Sequence, residues 1–558
     1  MSSESILELT LGGFQVFAEP VTFPLGPITL IFGPNSAGKS AIADALQVLS
    51  SFAALFDDGT RNDESEILQK AASLLESHWR LVPGVPPTRV PEVQLGIRIR
   101  VARDSWANEA LARTWTEPGP GWEAKSPRFK SAAAAIGPWC ASKEFVDLDL
   151  RLRFSRDEDS FADEETVPSE LRGFHLRTDL SLAGIPILQT ERMGRVALQT
   201  SHPIFGGRLN TRACKRLAAR YPEECSLTDG WLGFESGTYL DSEGQGADPL
   251  SIFTEIGDAP SYSACVEFAN LFNVIWLSSI RTVRRCTALT MVPASRSIPS
   301  VHEVTYLKGV DGRNIAGNRF GIRIEGRLEF ESLATSGLLA WLTSENENSP
   351  PGPHDDRRAL DTVNRLLAEH MFREKGYFVY AQVNGLMAIR RDERLLIDAT
   401  PGQQRDPDGY LVTLALEDPD GRRFGFDEVG SGLGYVLPVL AALASSRTTF
   451  IQQPELHLHP ALQAELADAF VAGAGEARQD IVETHSEHLL LRLLRRVRQS
   501  QTHASAALDS NDLVVLYVNP GIDGTSKVNR LRISPDGEFI DRWPQGFFEE
   551  RWKDLFDE

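Results

Sequence analysis

The sequence predicts an α/β fold built on a mainly parallel sheet, and three observations predict it. In the C-terminal third, apolar strands alternate with helical stretches: YLVTLALED, GYVLPVLAALASS, TTFIQQ, PALQAELADAFVAG, DIVETHS, EHLLLRLLRRVRQ and NDLVVLYVN follow in turn. That alternation is the pattern of strand–helix–strand crossovers. Near the N-terminus the continuous apolar run ITLIF leads through a glycine loop into SAIADALQVLSSFAALF, whose apolar spacing is helical. Between these ends, VQLGIRIRV, FVDLDLRLRF and the stretch around 176–199 have strand character and predict an added antiparallel β subdomain.

A chain of 558 residues exceeds one ordinary domain, so a head with insertions is expected. The boundaries read as an N-terminal part of the head with the β subdomain (1–200), a largely helical insertion (201–389) and a C-terminal part of the head (390–558). Helices are expected over 263–285 and 357–372, and the Pro/Gly-rich stretches VPGVPPTRVPE, TEPGPGWEAKSPR and NENSPPGPHDD read as surface loops. No apolar stretch is long enough to span a membrane, and the N-terminus lacks the basic and apolar regions of a signal peptide. The five cysteines (Cys140, Cys214, Cys225, Cys265, Cys286) share no metal-type spacing and read as reduced thiols of a cytoplasmic protein. A net charge of -20 argues against a basic coat for a polyanion but leaves room for a local patch. Arg492, Arg495, Arg496 and Arg498 are candidates for a patch facing DNA or a partner; a solvated helix face is the alternative.

Chemistry concentrates in four elements. The first is Gly33-Pro34-Asn35-Ser36-Ala37-Gly38-Lys39-Ser40, which fits GxxxxGK[ST] between a buried strand and a helix. Glycines let backbone N–H groups of this loop wrap phosphates, and the helix N-terminus adds partial positive charge. Lys39 would reach the β- and γ-phosphates of ATP, and the Ser40 hydroxyl would ligate Mg²⁺. The second element is Gly430-Ser431-Gly432-Leu433-Gly434, opening an apolar helix; alone it is either an anion site or a chain turn. The third is the strand TFI running into Gln452-Gln453-Pro454-Glu455-Leu456-His457-Leu458-His459-Pro460, and the fourth is Glu483-Thr484-His485-Ser486 at the end of a strand. A zinc reading of His457, His459 and His485 is poor, because two loop histidines and a distant one lack metal-ligand spacing.

In this order the four elements resemble an ABC-type ATPase head. Gly33–Ser40 matches its Walker A loop, Gly430–Gly434 its signature loop, Ile451–Pro460 its Walker B strand with D-loop, and His485 its switch histidine. PELHLHP and ETHS resemble most closely the SMC-like and OLD-like AAA ATPases of bacteria. The run Trp543-Pro544-Gln545-Gly546-Phe547-Phe548-Glu549 is similar to the tail of a bacterial ATPase group. The resemblance implies heads that form a homodimer, or a higher homo-oligomer, head to tail. Ser431 and Gly432 of one chain would then close on the phosphates held by Lys39 in the other, and His485 would sense the γ-phosphate. It further implies a role in anti-phage defence or DNA repair with a separate effector such as a nuclease, with DNA as a candidate partner and no membrane partner. The residues after the switch are too few for the TOPRIM nuclease of true OLD proteins.

One position departs from the pattern. Walker B supplies a carboxylate to the Mg²⁺ shell, often followed by a glutamate that polarises water; here those places hold Gln452 and Gln453. A carboxamide is no base and a weaker ligand than a carboxylate. Three explanations stand open: hydrolysis is slow or absent, leaving a nucleotide-binding scaffold; Glu455 or Glu428 takes the carboxylate role; or the glutamine at 452 has been substituted for a native acid. An ABC transporter subunit is a poorer reading, since VGSGLG departs from LSGGQ and the middle of the chain is large.

Overall fold

Strict alternation of apolar and charged residues builds the first of three sheets. In the computed structural model, which describes residues 4–54, 89–103, 142–157, 174–191, 195–199, 201–205, 225–229, 231–235, 275–294, 302–308, 314–317, 358–373, 375–386, 409–425, 431–445, 447–474, 478–501, 508–521 and 524–544 with a few single positions, the chain divides into two units. The first comprises Met1–Gly26, Gly33–Ala288 and Leu516–Arg530; the second comprises Pro27–Phe32, Leu289–Val515 and Leu531–Glu558.

The first unit carries a nine-stranded sheet of β1 (Glu4–Gly12), β2 (Val21–Pro24), β4 (Arg89–Ala102), β5 (Phe145–Asp157), β6 (Phe174–Leu182), β7 (Ile185–Glu191), β8 (Arg195–Gln199), β9 (Cys225–Thr228) and β10 (Trp231–Glu235). Its order is β2-β1-β4-β5-β6-β7-β8-β10-β9, with antiparallel neighbours throughout. Along β4, Val93, Leu95, Ile97, Ile99 and Val101 are buried, while Arg98 and Arg100 point to the other face, as the two-residue period requires. There Arg100 Nε lies 2.8 Å from Asp147 Oδ1, and Arg98 Nη2 lies 3.2 Å from Asp147 Oδ2. Burial pushes the Asp147 carboxyl up, but the Arg100 and Arg98 guanidiniums outweigh it and hold the group below the usual carboxylate range. Helix α1 (Ala41–Ala54) is buried through Ile42, Leu46, Leu49 and Phe52, and the Phe52 ring meets Phe154 of β5 edge to face.

The second unit's sheet runs β11-β17-β18-β3, from β3 (Ile28–Phe32), β11 (Leu289–Val292), β17 (Thr448–Gln452) and β18 (Gln479–Glu483); the later strands of the chain are β19 (Leu513–Pro520) and β20 (Ser526–Leu531). The four strands β11, β17, β18 and β3 lie wholly in the second unit and pair in parallel, so the expected α/β class with a mainly parallel sheet is the observed one. A further antiparallel sheet in this unit is formed by β12 (His302–Lys308), β13 (Asn314–Gly317), β14 (Phe378–Leu386), β15 (Gly409–Glu417) and β16 (Arg423–Phe424). The unit's helices are α2 (Arg358–His370), α3 (Ser431–Ser445), α4 (Pro460–Ala474) and α5 (Glu487–Ser500). Residues 201–389, expected as largely helical, hold both kinds of element where described: strands β9 to β14, helical residues 275–287 and α2. Among the described residues no helix is long and apolar enough to cross a membrane.

One buried side chain locks the second unit. Arg478, entering β18, donates from Nε to Asp480 Oδ2 at 2.9 Å, and from Nη1 to the Leu443 carbonyl near the end of α3 at 2.7 Å. Nη2 reaches the Phe470 carbonyl of α4 at 3.3 Å. The C-terminal carbonyls of a helix lack intrahelical partners and carry partial negative charge, so a guanidinium there satisfies and neutralises them. Thr449 donates to the other Asp480 oxygen at 2.8 Å, and Gly473 leaves the guanidinium its place, since a Cβ there would collide with it. Burial pushes the Asp480 carboxyl up, against the pull of Arg478. Replacing Arg478 by Met should therefore cost about 3–5 kcal/mol in urea or thermal unfolding, because it strands a buried carboxyl and carbonyls. The double variant Arg478→Met/Asp480→Asn should cost less than the single one.

Candidate functional site

The phosphate-type loop belongs to the first unit. Its shape rests on three residues in the left-handed region: Gly33 at φ 144°, Ser36 at 64° and Gly38 at 92°. Gly33 and Gly38 have no alternative, because a Cβ at Gly33 would strike the Val518 carbonyl and one at Gly38 the Val16 side chain. Lys39 is 3% exposed and curls back over the loop, donating from Nζ to the Gly33 carbonyl at 3.0 Å and the Pro34 carbonyl at 2.8 Å. Asn35 and Ser36 are exposed at the crest, and Ala37 is buried. Ser526 of β20 braces the loop by donating to the Ala37 carbonyl at 2.8 Å. The Ser40 carbonyl accepts from Ala43 and Asp44, so Ser40 stands at the entry of α1. Gln15, itself at φ 49°, donates to Asp44 in the first turn of that helix at 2.7 Å.

The remaining elements sit at the carboxyl ends of strands in the second unit. β17 ends at Gln452, and Gln453 turns the chain at φ 45° with its amide on the Glu483 carbonyl, 2.7 Å away. Gln452 Oε1 accepts from the Ala294 amide at 3.4 Å, and its Nε2 lies 3.4 Å from Glu483 Oε2. Glu455 spans two loops: Oε2 accepts from Thr484 Oγ1 at 2.7 Å and Oε1 from the His485 amide at 2.8 Å. It thereby ties the turn after β17 to the switch segment. Glu428 is exposed and closes its own turn by accepting from the Gly425 amide at 2.8 Å. His485 is half-buried, and Ser486 caps α5 by accepting from the Leu489 amide at 3.0 Å while donating to Gln463. Ser431 is the first residue of α3, and Gly430 lies outside the described residues. Gly432 packs on the same turn, since a Cβ there would stand 3.0 Å from the His457 carbonyl. His457, at φ 61°, stacks on Tyr435 with ring centroids 4.2 Å apart.

Within the second unit, then, the turn after β17, with Gln453 and Glu455, meets the segment of Glu483 to His485, and Gly432 at the start of α3 meets the His457 carbonyl. Beside Gln452 the structure sets Glu483, a neighbour that sequence reading did not pair with it. Its signal was present: TTFIQ and QDIVE end in matching register once both are strands of one parallel sheet. Among the described residues no group of three or more His, Cys, Asp or Glu side chains could hold a metal ion.

The arginine stripe of α5 is largely occupied from within. Arg492 and Arg496 both reach Asp468 of α4, with contacts of 3.1 and 2.8 Å to a carboxylate only 4% exposed. Arg498 donates to the Asp536 carbonyl at 2.9 Å, while Arg495 is exposed. Farther on, Trp543 packs edge to face on Phe32, the last residue of β3, with centroids 5.3 Å apart.

Two stretches of the chain match known domain families. Residues 8–74 match a family described as an AAA domain, and residues 322–492 one described as an AAA domain, putative AbiEii toxin, Type IV TA system. The first stretch contains the Gly33–Ser40 loop and the second contains Gln452, Gln453, Glu455 and His485. Both sets of motifs thus fall within stretches that match AAA-domain families. No curated protein matches it. Among solved structures it is similar to the SMC head domain from Thermotoga maritima at 11% identity and a TM-score of 0.33, covering 95% of this chain and 100% of that one. The Smc head domain with an extended coiled coil from Pyrococcus furiosus, bound to the C-terminal domain of ScpA, shows 12% identity and a TM-score of 0.33 over 99% and 98% of the two chains. The Smc head domain with a coiled coil and joint from Pyrococcus yayanosii gives 11% and 0.35 over 96% and 98%. At these scores the fold is read from the strand order and pairing, not from the likeness.

Removing the Glu455 side chain should unlace the two loops. Glu455→Ala is expected to cost about 3–6 kcal/mol in urea unfolding, the sum of two hydrogen bonds to a charged group. Glu455→Gln, which keeps one acceptor, should cost less.

Proposed function

We propose that this chain is an ATP-binding ATPase subunit of the SMC-like and OLD-like kind, whose heads pair head to tail under nucleotide control. Its setting is bacterial defence against phage or DNA repair, alongside a separate effector such as a nuclease. The observation that carries the nucleotide reading is the Gly33–Ser40 loop, with left-handed turns at both glycines and the Lys39 ammonium folded into the curl. Backbone N–H groups and an ammonium converging ahead of a helix are the chemistry that phosphate oxygens take. On binding, Lys39 would exchange two carbonyl partners for charged phosphate oxygens, a gain in hydrogen-bond strength that favours ATP. The family description matched by residues 322–492, a putative toxin of a type IV system, supports the defence setting. The order of the motifs, with Ser431 and Gly432 opening α3, supports the paired-head reading.

Mg²⁺ accompanies ATP in sites of this kind and neutralises charge on the phosphates. In the second unit the Glu483 carboxylate, beside the Gln452 carboxamide, is a donor that suits a hard cation. A second reading, a hydrolysis-deficient nucleotide-binding scaffold, is favoured by Gln452 and Gln453, neither of which can take a proton from water.

Lys39→Ala should weaken binding of a fluorescent ATP analogue by about 10-fold or more, a loss of roughly 1.4 kcal/mol or above, and should abolish turnover. Analogue binding unaffected by that change would overturn the nucleotide site. ATP with Mg²⁺ should double the mass seen by light scattering relative to the nucleotide-free chain; an unchanged monomer sinks the paired-head reading. Nucleotide binding and dimerisation with no turnover at all would select the scaffold.

A further inference from the structure

We infer that Glu483 is the acidic ligand of the divalent cation, supplying from β18 the charge that position 452 at the end of β17 and position 453 after it lack; this deepens the ATPase reading and rests on it. The two strands pair in parallel with Gln452 opposite Glu483. Register partners in a parallel pair project from the same face, and here both stand at the carboxyl end, where open parallel sheets bind their ligands. The side chains meet, with Gln452 Nε2 3.4 Å from Glu483 Oε2. The carboxylate has therefore moved one strand sideways rather than left the neighbourhood.

Three further features support the assignment. Gln453 donates to the Glu483 carbonyl at 2.7 Å, which pins the backbone that presents the carboxylate. Glu455 and Glu428, the alternatives visible in sequence, accept hydrogen bonds from the switch segment and from their own turn. A neutral amide beside Glu483 is also what a single-carboxylate site requires. Two carboxylates at that separation repel, and one stays protonated unless a cation lies between them. A single carboxylate suits Mg²⁺ or Mn²⁺, which take one or two carboxylates together with phosphate oxygens.

The test is Mn²⁺ binding in the presence of AMP-PNP, followed by electron paramagnetic resonance, on the full chain and three variants. Glu483→Gln should weaken Mn²⁺ by about 100-fold or more, while AMP-PNP binding without metal and the melting temperature stay close to wild type. Gln452→Glu/Glu483→Gln, which returns the acid to β17, should recover most of that loss. Gln452→Glu alone should melt lower than wild type in EDTA and regain the difference in Mn²⁺. Equal Mn²⁺ affinity in wild type and Glu483→Gln overturns the inference, as does a loss that the double variant does not recover. If Glu483→Gln does not fold, Glu483→Asp decides: retained Mn²⁺ binding supports the ligand role, and its absence in a folded chain overturns it. A wild-type chain that takes up no AMP-PNP overturns the ATPase reading itself, a result separate from the other outcomes.

Discussion

The second unit is organised around a buried guanidinium. Arg478 has lost its water, so its charge must be met by protein, and it is met by the Asp480 carboxylate and by carbonyls near the ends of α3 and α4. Such a group is costly to bury and costlier to leave half-satisfied. The two helices and the strand are consequently held in one arrangement rather than a family of slightly shifted ones. That constraint matters at the other end of β18, five residues away, where the same strand delivers Glu483, Thr484 and His485. The start of the strand is fixed by charge and the finish presents chemistry.

At that finish the loops hold one another by polar contacts more than by packing. Gln453 reaches across to the Glu483 carbonyl, Glu455 takes both Thr484 and the His485 amide, and Thr484 donates its own amide to the Ile31 carbonyl of β3. Each bond links segments distant in sequence, so no loop there moves alone. The His485 amide hydrogen-bonds Glu455 of the turn after β17, and the His457 carbonyl of that turn faces Gly432 at the start of α3, so the three segments are in contact.

Much of this was legible from residues alone, and what was not has a physical reason. The P-loop is eight consecutive residues whose types are dictated by backbone conformation, so its motif and its structure carry the same information. The antiparallel sheet shows itself because β4 and β5 alternate strictly, one face apolar and the other charged. The sequence did not reveal that Glu483 stands beside Gln452, since 31 residues separate them and only strand register joins them. It showed Arg492 and Arg496 on one helix face but not Asp468, which approaches from α4 and turns a candidate surface patch into an internal fastening. Gly473 looked like an ordinary glycine late in a helix; its reason is the Arg478 guanidinium. Residues 201–389 carry weak periodicity, and β12 pairs with β13 inside that stretch but also with β15 beyond it.

Three side-chain-bearing residues at these sites, Ser36, Gln453 and His457, hold left-handed backbone. For residues other than Gly, Asn and Asp that conformation costs roughly 1–2 kcal/mol each. Glycine would relieve the cost at once, yet none of the three positions has taken it. A selection for heat resistance alone would drift toward glycine or asparagine at these places and find a sturdier, simpler chain. These three backbones are thus places where a glycine would relax the loop and widen the range of shapes open to it, so a gain in stability there trades against a fixed loop shape.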